Sequence, residues 1–185
     1  MSGHLEVICG PMYAGKSEEL IRRLNRFEIA KKSVHVLSPD IDNRYGAGHI
    51  FSHNGKSFIA EQIPIEGKPV EVNADVIAFD EAQFFEYRWL IGSVEDALKE
   101  GFTVIVAGLD KDFRGRPFGG LTMPYLLAMA DKVTKLTAIC QVCGNDATMT
   151  QRLIDGKPAS FDGPTVLVGA TDSYEARCRN CWEVG

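Results

Sequence analysis

The chain has 185 residues, the length of one domain or of one domain with a small appendage. Apolar residues make up 45% and charged residues 24%, a globular rather than a disordered composition. Twenty Lys and Arg against 25 Asp and Glu leave a net charge of −5. That argues against a domain held on nucleic acid by a bulk positive field, but allows a local basic pocket for a small anion. No apolar run approaches the ~18–20 residues that span a bilayer, and no secretory signal is visible at the N-terminus. A soluble cytoplasmic protein with no membrane or nucleic-acid partner is the expectation.

Leu5–Cys9 is a short apolar run, predicted as a strand, and Gly10-Pro11-Met12-Tyr13-Ala14-Gly15-Lys16-Ser17 follows it at once. Leu20, Ile21, Leu24 and Phe27 then recur at helical spacing among Arg22, Arg23, Arg26 and Glu28. Val34–Leu37 reads as the strand that completes a βαβ unit. Asp40 to about Phe58 is poor in periodicity, but Ile50–Phe51 and Phe58 flank Asn54-Gly55, a hairpin signal. This stretch is predicted as a loop carrying a projecting hairpin. Val76–Phe79 is a buried strand ending on Asp80-Glu81; Trp89, Leu90, Val94, Ala97 and Leu98 form one helical face, with Gly101 as the stop. Thr103–Ala107 is a further strand, residues 111–120 a loop, and Leu121–Ala130 a helix with Pro124 in its first turn. Val133–Ile139 is predicted as one strand leading to the first cysteine pair. Alternating strands and helices imply an α/β fold with a mostly parallel sheet covered on both faces. Residues 140–185 differ in texture, with turn dipeptides Asp155-Gly156 and Asp162-Gly163 and a short strand predicted at Val166–Val168. The division is therefore drawn at 1–139 and 140–185.

Gly10-x4-Gly15-Lys16-Ser17 matches the P-loop pattern in full, with a strand before it and a helix after it. Its glycines let backbone N–H groups turn toward phosphate oxygens, Lys16 can reach terminal phosphates, and the Ser17 hydroxyl can ligate Mg²⁺. Asp80 falls at the carboxyl edge of the sheet, where it can hold Mg²⁺ through water. Its neighbour Glu81 points elsewhere. It suits a base that takes the proton from an alcohol acceptor, or a group that orients water. The motif alone does not separate a kinase from a hydrolase.

Of five cysteines, four form the pairs Cys140-x-x-Cys143 and Cys178-x-x-Cys181, while Cys9 ends an apolar run and reads as core. Four thiolates can close a tetrahedral Zn²⁺ site with no open position, hence structural. An iron–sulfur cluster or a redox dithiol fits the same ligands. The 34 residues between Cys143 and Cys178 would form a long loop closed at its base by the metal.

With both motifs placed, the chain resembles the type II thymidine kinases, nearly end to end. The resemblance rests on the P-loop, Phe79-Asp80-Glu81-Ala82-Gln83-Phe84-Phe85, Gly108-Leu109-Asp110, Asp112-Phe113-Arg114 and Pro117-Phe118-Gly119. It continues through Leu136-Thr137-Ala138-Ile139-Cys140 and Tyr174 ahead of Cys178-Arg179-x-Cys181. It implies a P-loop kinase fold with a small zinc domain, and transfer of the ATP γ-phosphate to the 5′-hydroxyl of thymidine, with deoxyuridine as a second acceptor, in nucleotide salvage. By that resemblance Glu81 is the catalytic base. Residues 10–17, Asp80 and Gln83 serve ATP and Mg²⁺. Met12, Phe84, Leu109, Phe113, Thr150 and Tyr174 match positions around the nucleoside. Asp42 and Arg44 match an Asp-x-Arg near the reacting groups. The segment between the cysteine pairs would cover thymidine, with Thr150-Gln151-Arg152, Val166, Val168 and Gly169 lining it. A homotetramer inhibited by thymidine triphosphate is also implied, without the longer C-terminal tail of some members.

Two other classes compete. A helicase pairs a P-loop with an Asp-Glu-Ala acid motif but needs a second motor domain, for which 185 residues leave no room. A zinc-ribbon binding module would have no use for Glu81. The nearest rival is a kinase for a different deoxynucleoside.

Overall fold

The computed structural model describes residues 3–41, 48–51, 55, 57–68, 73–165 and 172–185. Its body is a six-stranded parallel sheet. In chain order the described elements are β1 (His4–Gly10), α1 (Lys16–Ile29), β2 (Val34–Pro39), β3 (His49–Phe51), β4 (Ser57–Ile59), β5 (Glu61–Ile63) and β6 (Val76–Phe79). After a short 3-10 turn at Ala82–Phe84 come α2 (Tyr87–Lys99), β7 (Thr103–Leu109), α3 (Thr122–Met129) and β8 (Lys132–Lys135). The strand order is β5-β2-β6-β7-β1-β8, and every neighbouring pair is parallel.

The two-residue period of the strands sorts their side chains into two cores. Leu5, Val7, Cys9, Ile77, Phe79, Val104 and Val106 face α2 and α3, which contribute Leu90, Val94, Met123 and Leu126. Ile8, Val36, Ala78, Ile105 and Ala107 face α1 through Leu20, Ile21 and Leu24. Cys9 is therefore a core residue, as its sequence context suggests. Buried Arg23 ties α1 to the sheet edge. It donates to Glu6, to Glu19 at 2.8 Å and to Thr134 at 2.7 Å.

The remaining chain forms small antiparallel pieces. β9 (Ala138–Ile139) pairs with β10 (Asp146–Ala147), and β11 (Met149–Ile154) lies between β12 (Lys157–Pro158) and β13 (Asp172–Arg177). Asp155-Gly156 makes the β11–β12 turn, with Asp155 at φ 50° and Gly156 at φ 75°.

Most predicted elements are present, and one of them needs correction. Val133–Ile139 is not one strand: β8 belongs to the parallel sheet, whereas β9 starts the antiparallel lobe. The chain leaves the sheet at Leu136, whose N–H still donates to Cys9 O at 2.8 Å. β1, α1 and β2 do form the expected βαβ unit, with β6 and β7 lying between its two strands. Strand order is set by long-range packing that a local pattern does not carry. Finally, β5 and β10 to β13 were not foreseen; β5 is only three residues long, β10 and β12 only two, and β11 and β13 gain their character from each other. The expected hairpin exists as β3 with β4; Asn54 of its turn and the strand expected at Val166–Val168 lie outside the described residues. Among the described residues no helix is long and apolar enough to cross a membrane.

Candidate functional site

The register of the central strands brings two chemical groups together. Gly10, the last residue of β1, lies opposite Leu109 at the end of β7, and β6 on the far side of β7 ends one residue before Asp80. The P-loop and the acidic pair thus share the carboxyl edge of the sheet, where open α/β folds leave a crevice. Gly10 is required by its surroundings. Its φ is 149°, and a Cβ there would meet Leu136 O at 2.5 Å. Gly15 caps α1 in the left-handed region (φ 80°, ψ 24°) and has no side chain to occupy the helix amino end. That end, with its positive dipole, faces the loop.

Lys16 is buried at 8% exposure, and its Nζ donates to Pro11 O at 2.9 Å. Burial lowers its pKa, while Glu81 and Asp80 pull it back up. Ser17 Oγ lies 3.4 Å from Asp80 Oδ2. Asp80 is buried too, and burial, followed by the charge of Glu81, raises its pKa to about 7. Two adjacent carboxylates beside one buried ammonium make a donor set of hard oxygens short of positive charge. That chemistry fits Mg²⁺, with the Ser17 hydroxyl and Asp80 as the residues able to hold it.

Glu81 sits in the left-handed region (φ 49°, ψ 40°), a conformation uncommon for a residue with a side chain and found where surroundings enforce it. Gln83 holds the carboxylate that this backbone presents. Its Oε1 accepts from Leu109 N at 2.9 Å, and its Nε2 donates to Glu81 Oε2. Gln83 thereby spans from the end of β7 to the acid, a role its motif position did not reveal. Next to it, Phe84 meets Phe118 edge-on, with ring centroids 5.4 Å apart. These residues line a cavity of about 450 Å³ with Ile41, Ile65 and Thr165.

The other expected nucleoside contacts are distributed around this point. Leu109, Phe113 and Thr150 are buried, and Met12 N donates to Thr150 Oγ1 at 3.1 Å, joining the P-loop to β11. Tyr174 is half-buried on β13, opposite Arg152 of β11. Tyr13 of the P-loop is exposed at φ 66°, and Ala14 packs against the small apolar cluster around Cys140 and Cys178. Asp42, Arg44, Val166, Val168 and Gly169 lie outside the described residues. Asp112 and Arg114 stand in a motif of the resemblance that gives neither a role, and the sequence does not single out Trp182. Asp112 Oδ1 accepts from Arg114 N and Arg116 N, an Asp-led turn whose signal is Asp112 three residues before Gly115. Trp182 Nε1 donates to Phe113 O at 3.0 Å, a long-range contact with no local signature.

The four paired cysteines converge. Their sulfurs all lie within 4.8 Å of one another, with Cys143 Sγ and Cys178 Sγ 3.7 Å apart. A tetrahedral ion with bonds of about 2.3 Å separates its sulfurs by about 3.8 Å, so the set fits zinc. Backbone N–H groups of the two knuckles, that of Cys178 foremost, hold the Cys140 thiol down to about 6; shared hydrogen bonds with Cys178 and Cys143 push Cys181 up to about 12. Four thiols this close divide into thiolates and donors, and a cation would satisfy them together.

One family's sequence pattern, described as thymidine kinase, matches residues 3–182. That span takes in the P-loop, the acidic pair, the aromatic cavity and all four cysteines, so the chain belongs to the thymidine kinase family.

Proposed function

We propose that this protein transfers the γ-phosphate of ATP to the 5′-hydroxyl of thymidine, and of deoxyuridine, yielding the nucleoside monophosphate for salvage. The observation that carries the reading is the juxtaposition at one sheet edge of a P-loop, a paired Asp80-Glu81 and an aromatic cavity. A hydrolase has no use for an aromatic cavity beside the acid. In this reading residues 10–15 cradle the triphosphate with backbone N–H groups, and Lys16 neutralises its terminal oxygens. Ser17 and, through water, Asp80 hold Mg²⁺, which when bound supplies charge neutralisation between the phosphates. Glu81, held by Gln83, accepts the proton of the 5′-hydroxyl as that oxygen bonds to the γ-phosphorus and the bond to the ADP oxygen breaks. Phe84, Leu109, Phe113, Met12, Thr150 and Tyr174 grip the base, and Val166, Val168 and Gly169 belong to the segment assigned to cover thymidine. Asp42 and Arg44 serve the reacting groups, the arginine steadying phosphate charge.

Residues 1–139 form the kinase domain and 140–185 the zinc domain in this scheme, the zinc being structural. A cytoplasmic homotetramer inhibited by thymidine triphosphate completes the proposal. Assembly is supported by the apolar side chains that α3 and its flank leave exposed, Leu121 at 66% and Met129 at 48%.

Phosphate transfer from ATP to a panel of nucleosides tests the reading. Thymidine and deoxyuridine should be phosphorylated and purine nucleosides scarcely, and Glu81→Gln should lower turnover by about 10²–10⁴-fold. DNA-stimulated ATP hydrolysis without nucleoside phosphorylation would overturn it.

A further inference from the structure

The strip of chain at residues 161–165 has few backbone partners of its own: Phe161 N donates to Gly185 O and Gly163 N to Ser160 O. Two arginines take up its acceptors instead. Arg114, whose side chain is only 12% exposed, donates from Nε to Phe161 O at 2.6 Å, from Nη1 to Thr165 Oγ1 at 2.9 Å and from Nη2 to Gly163 O. The same Nη1 donates to Asp112 Oδ2 at 2.9 Å, which anchors the guanidinium to its own turn. Arg152, with no exposed surface, donates from Nη1 to Pro164 O at 2.6 Å. Both guanidinium groups also lie on the Phe113 ring, 4.4 and 5.2 Å from its centroid.

This arrangement is not surface decoration. The strip ends on Thr165, and the turn that Arg114 braces begins on Asp112. Both residues line the cavity that holds Phe84 and Phe118. A planar guanidinium with five fixed donors can hold a carboxylate, two carbonyls and a hydroxyl at once, which an ammonium on a flexible stem cannot. Phe113 itself is braced by the arginines at its ring and by Trp182 at its carbonyl.

We propose that Arg114 is a positioning residue for the acceptor nucleoside: it ties the 161–165 strip to the 112–118 turn, fixes the Thr165 wall of the cavity and the Phe113 ring, and so sets nucleoside affinity without touching the phosphates. The inference rests on the nucleoside-kinase reading above and adds to it a residue which that reading does not use.

The test is steady-state kinetics of full-length, zinc-loaded Arg114→Met and Arg114→Lys, with amide hydrogen exchange across residues 160–165 in the presence and absence of thymidine. Arg114→Met removes several charge-assisted hydrogen bonds. It should raise KM for thymidine about tenfold to a hundredfold while KM for ATP stays within about twofold. Arg114→Lys should fall between it and the parent. Exchange at 160–165 should quicken, and its protection by thymidine should shrink. If Arg114→Met fails to fold, judged by circular dichroism and zinc content, Thr165→Val decides. It removes one acceptor and should raise the thymidine KM about three- to tenfold. An unchanged thymidine KM, or an equal rise in both KM values, overturns the inference. If the parent enzyme phosphorylates no nucleoside, the proposed function fails instead; unaltered exchange in Arg114→Met then overturns the tie itself.

Discussion

The parallel sheet and the C-terminal lobe are built by different physics. In the sheet, strands of three to seven residues bury alternate side chains in two apolar cores, and nearly every central position from Leu5 to Cys9 and Val104 to Ala107 has no exposed surface. Burial of this kind contributes roughly 1.5–3 kcal/mol per large side chain and needs no special partner. In the lobe, the apolar cluster is small: Ala138, Cys140, Ala147, Ala176 and Cys178. Specific bonds hold it instead. Four thiols converge, Gln151 trades hydrogen bonds with Glu183, and arginines take carbonyls. The sheet edge carries the loop at residues 10–17 and the Asp80-Glu81 pair. In the proposed function, burial in the sheet positions the reacting groups, and the lobe contributes Thr165 to the nearby cavity wall.

The comparison breaks most visibly if metal is withdrawn. Structural zinc contributes about 10–16 kcal/mol in small zinc modules, so chelation or Cys178→Ser should expose the amides of 138–183 to rapid exchange while β1, β6 and β7 stay protected. Simultaneous loss of both regions in hydrogen exchange would show that the lobe does not stand apart. Nucleoside binding should be lost along with the lobe, because Thr150 and Trp182 lie in it.

A core truncation probes the other side. Phe79 is fully buried, edge-on to Phe85 and Trp89 with centroids 6.2 and 6.1 Å away. Phe79→Ala should cost about 3–5 kcal/mol in urea denaturation, through lost burial plus the cavity left behind. Zinc content should remain at parent level in the folded fraction. A smaller effect is expected at the junction: Gly10→Ala, strained at its φ and crowding Leu136 O, should cost about 1–3 kcal/mol and weaken ATP binding in calorimetry.

The smallest effect is electrostatic and belongs to α1, the helix packed on the sheet. Hydrogen bonding from Arg22 first, and from Arg23 after it, outweighs burial and holds Glu19 down to about 2. A depressed folded value means that the carboxylate favours the folded state. Its contribution is complete above the ordinary value near 4.5 and disappears as pH falls toward 2. Arg22 is largely exposed, so the gain is screened to about 1 kcal/mol or less. Glu19→Gln should flatten the loss of stability between those pH values by that amount, measured by thermal melts across the range. Equal slopes for parent and variant would remove Glu19 from the account.

Much of this was legible because the signals are local. A strand of apolar residues, a glycine loop and an amphipathic helix follow one another within residues 4–29, and each declares itself by period or by turn chemistry. The cysteine pairs declare themselves by spacing, and their sulfurs do converge. The strand break at Leu136 was not legible, because the alternation across Val133–Ile139 says nothing about when a chain changes sheets. Nor was Gln83: its residue type fits a nucleotide contact as well as it fits a link between Leu109 N–H and Glu81. Only the placement of both partners distinguishes them.

The sequence by itself determined the kinds of chemistry on offer: a P-loop pattern, an acid pair at a strand end, four paired thiols able to hold a metal, and alternating strands and helices. These depend on residues within a few positions of one another. The tertiary structure alone decided that β6 and β7 lie between β1 and β2, that Gln83 and a left-handed backbone aim Glu81, and that Arg114, Arg152 and Trp182 brace Phe113. Most of these arrangements depend on residues tens of positions apart, such as Gln83 with Leu109, Arg152 with Phe113 and Trp182 with Phe113. The buried donors and acceptors of one segment find their partners only when the other segment is folded against it.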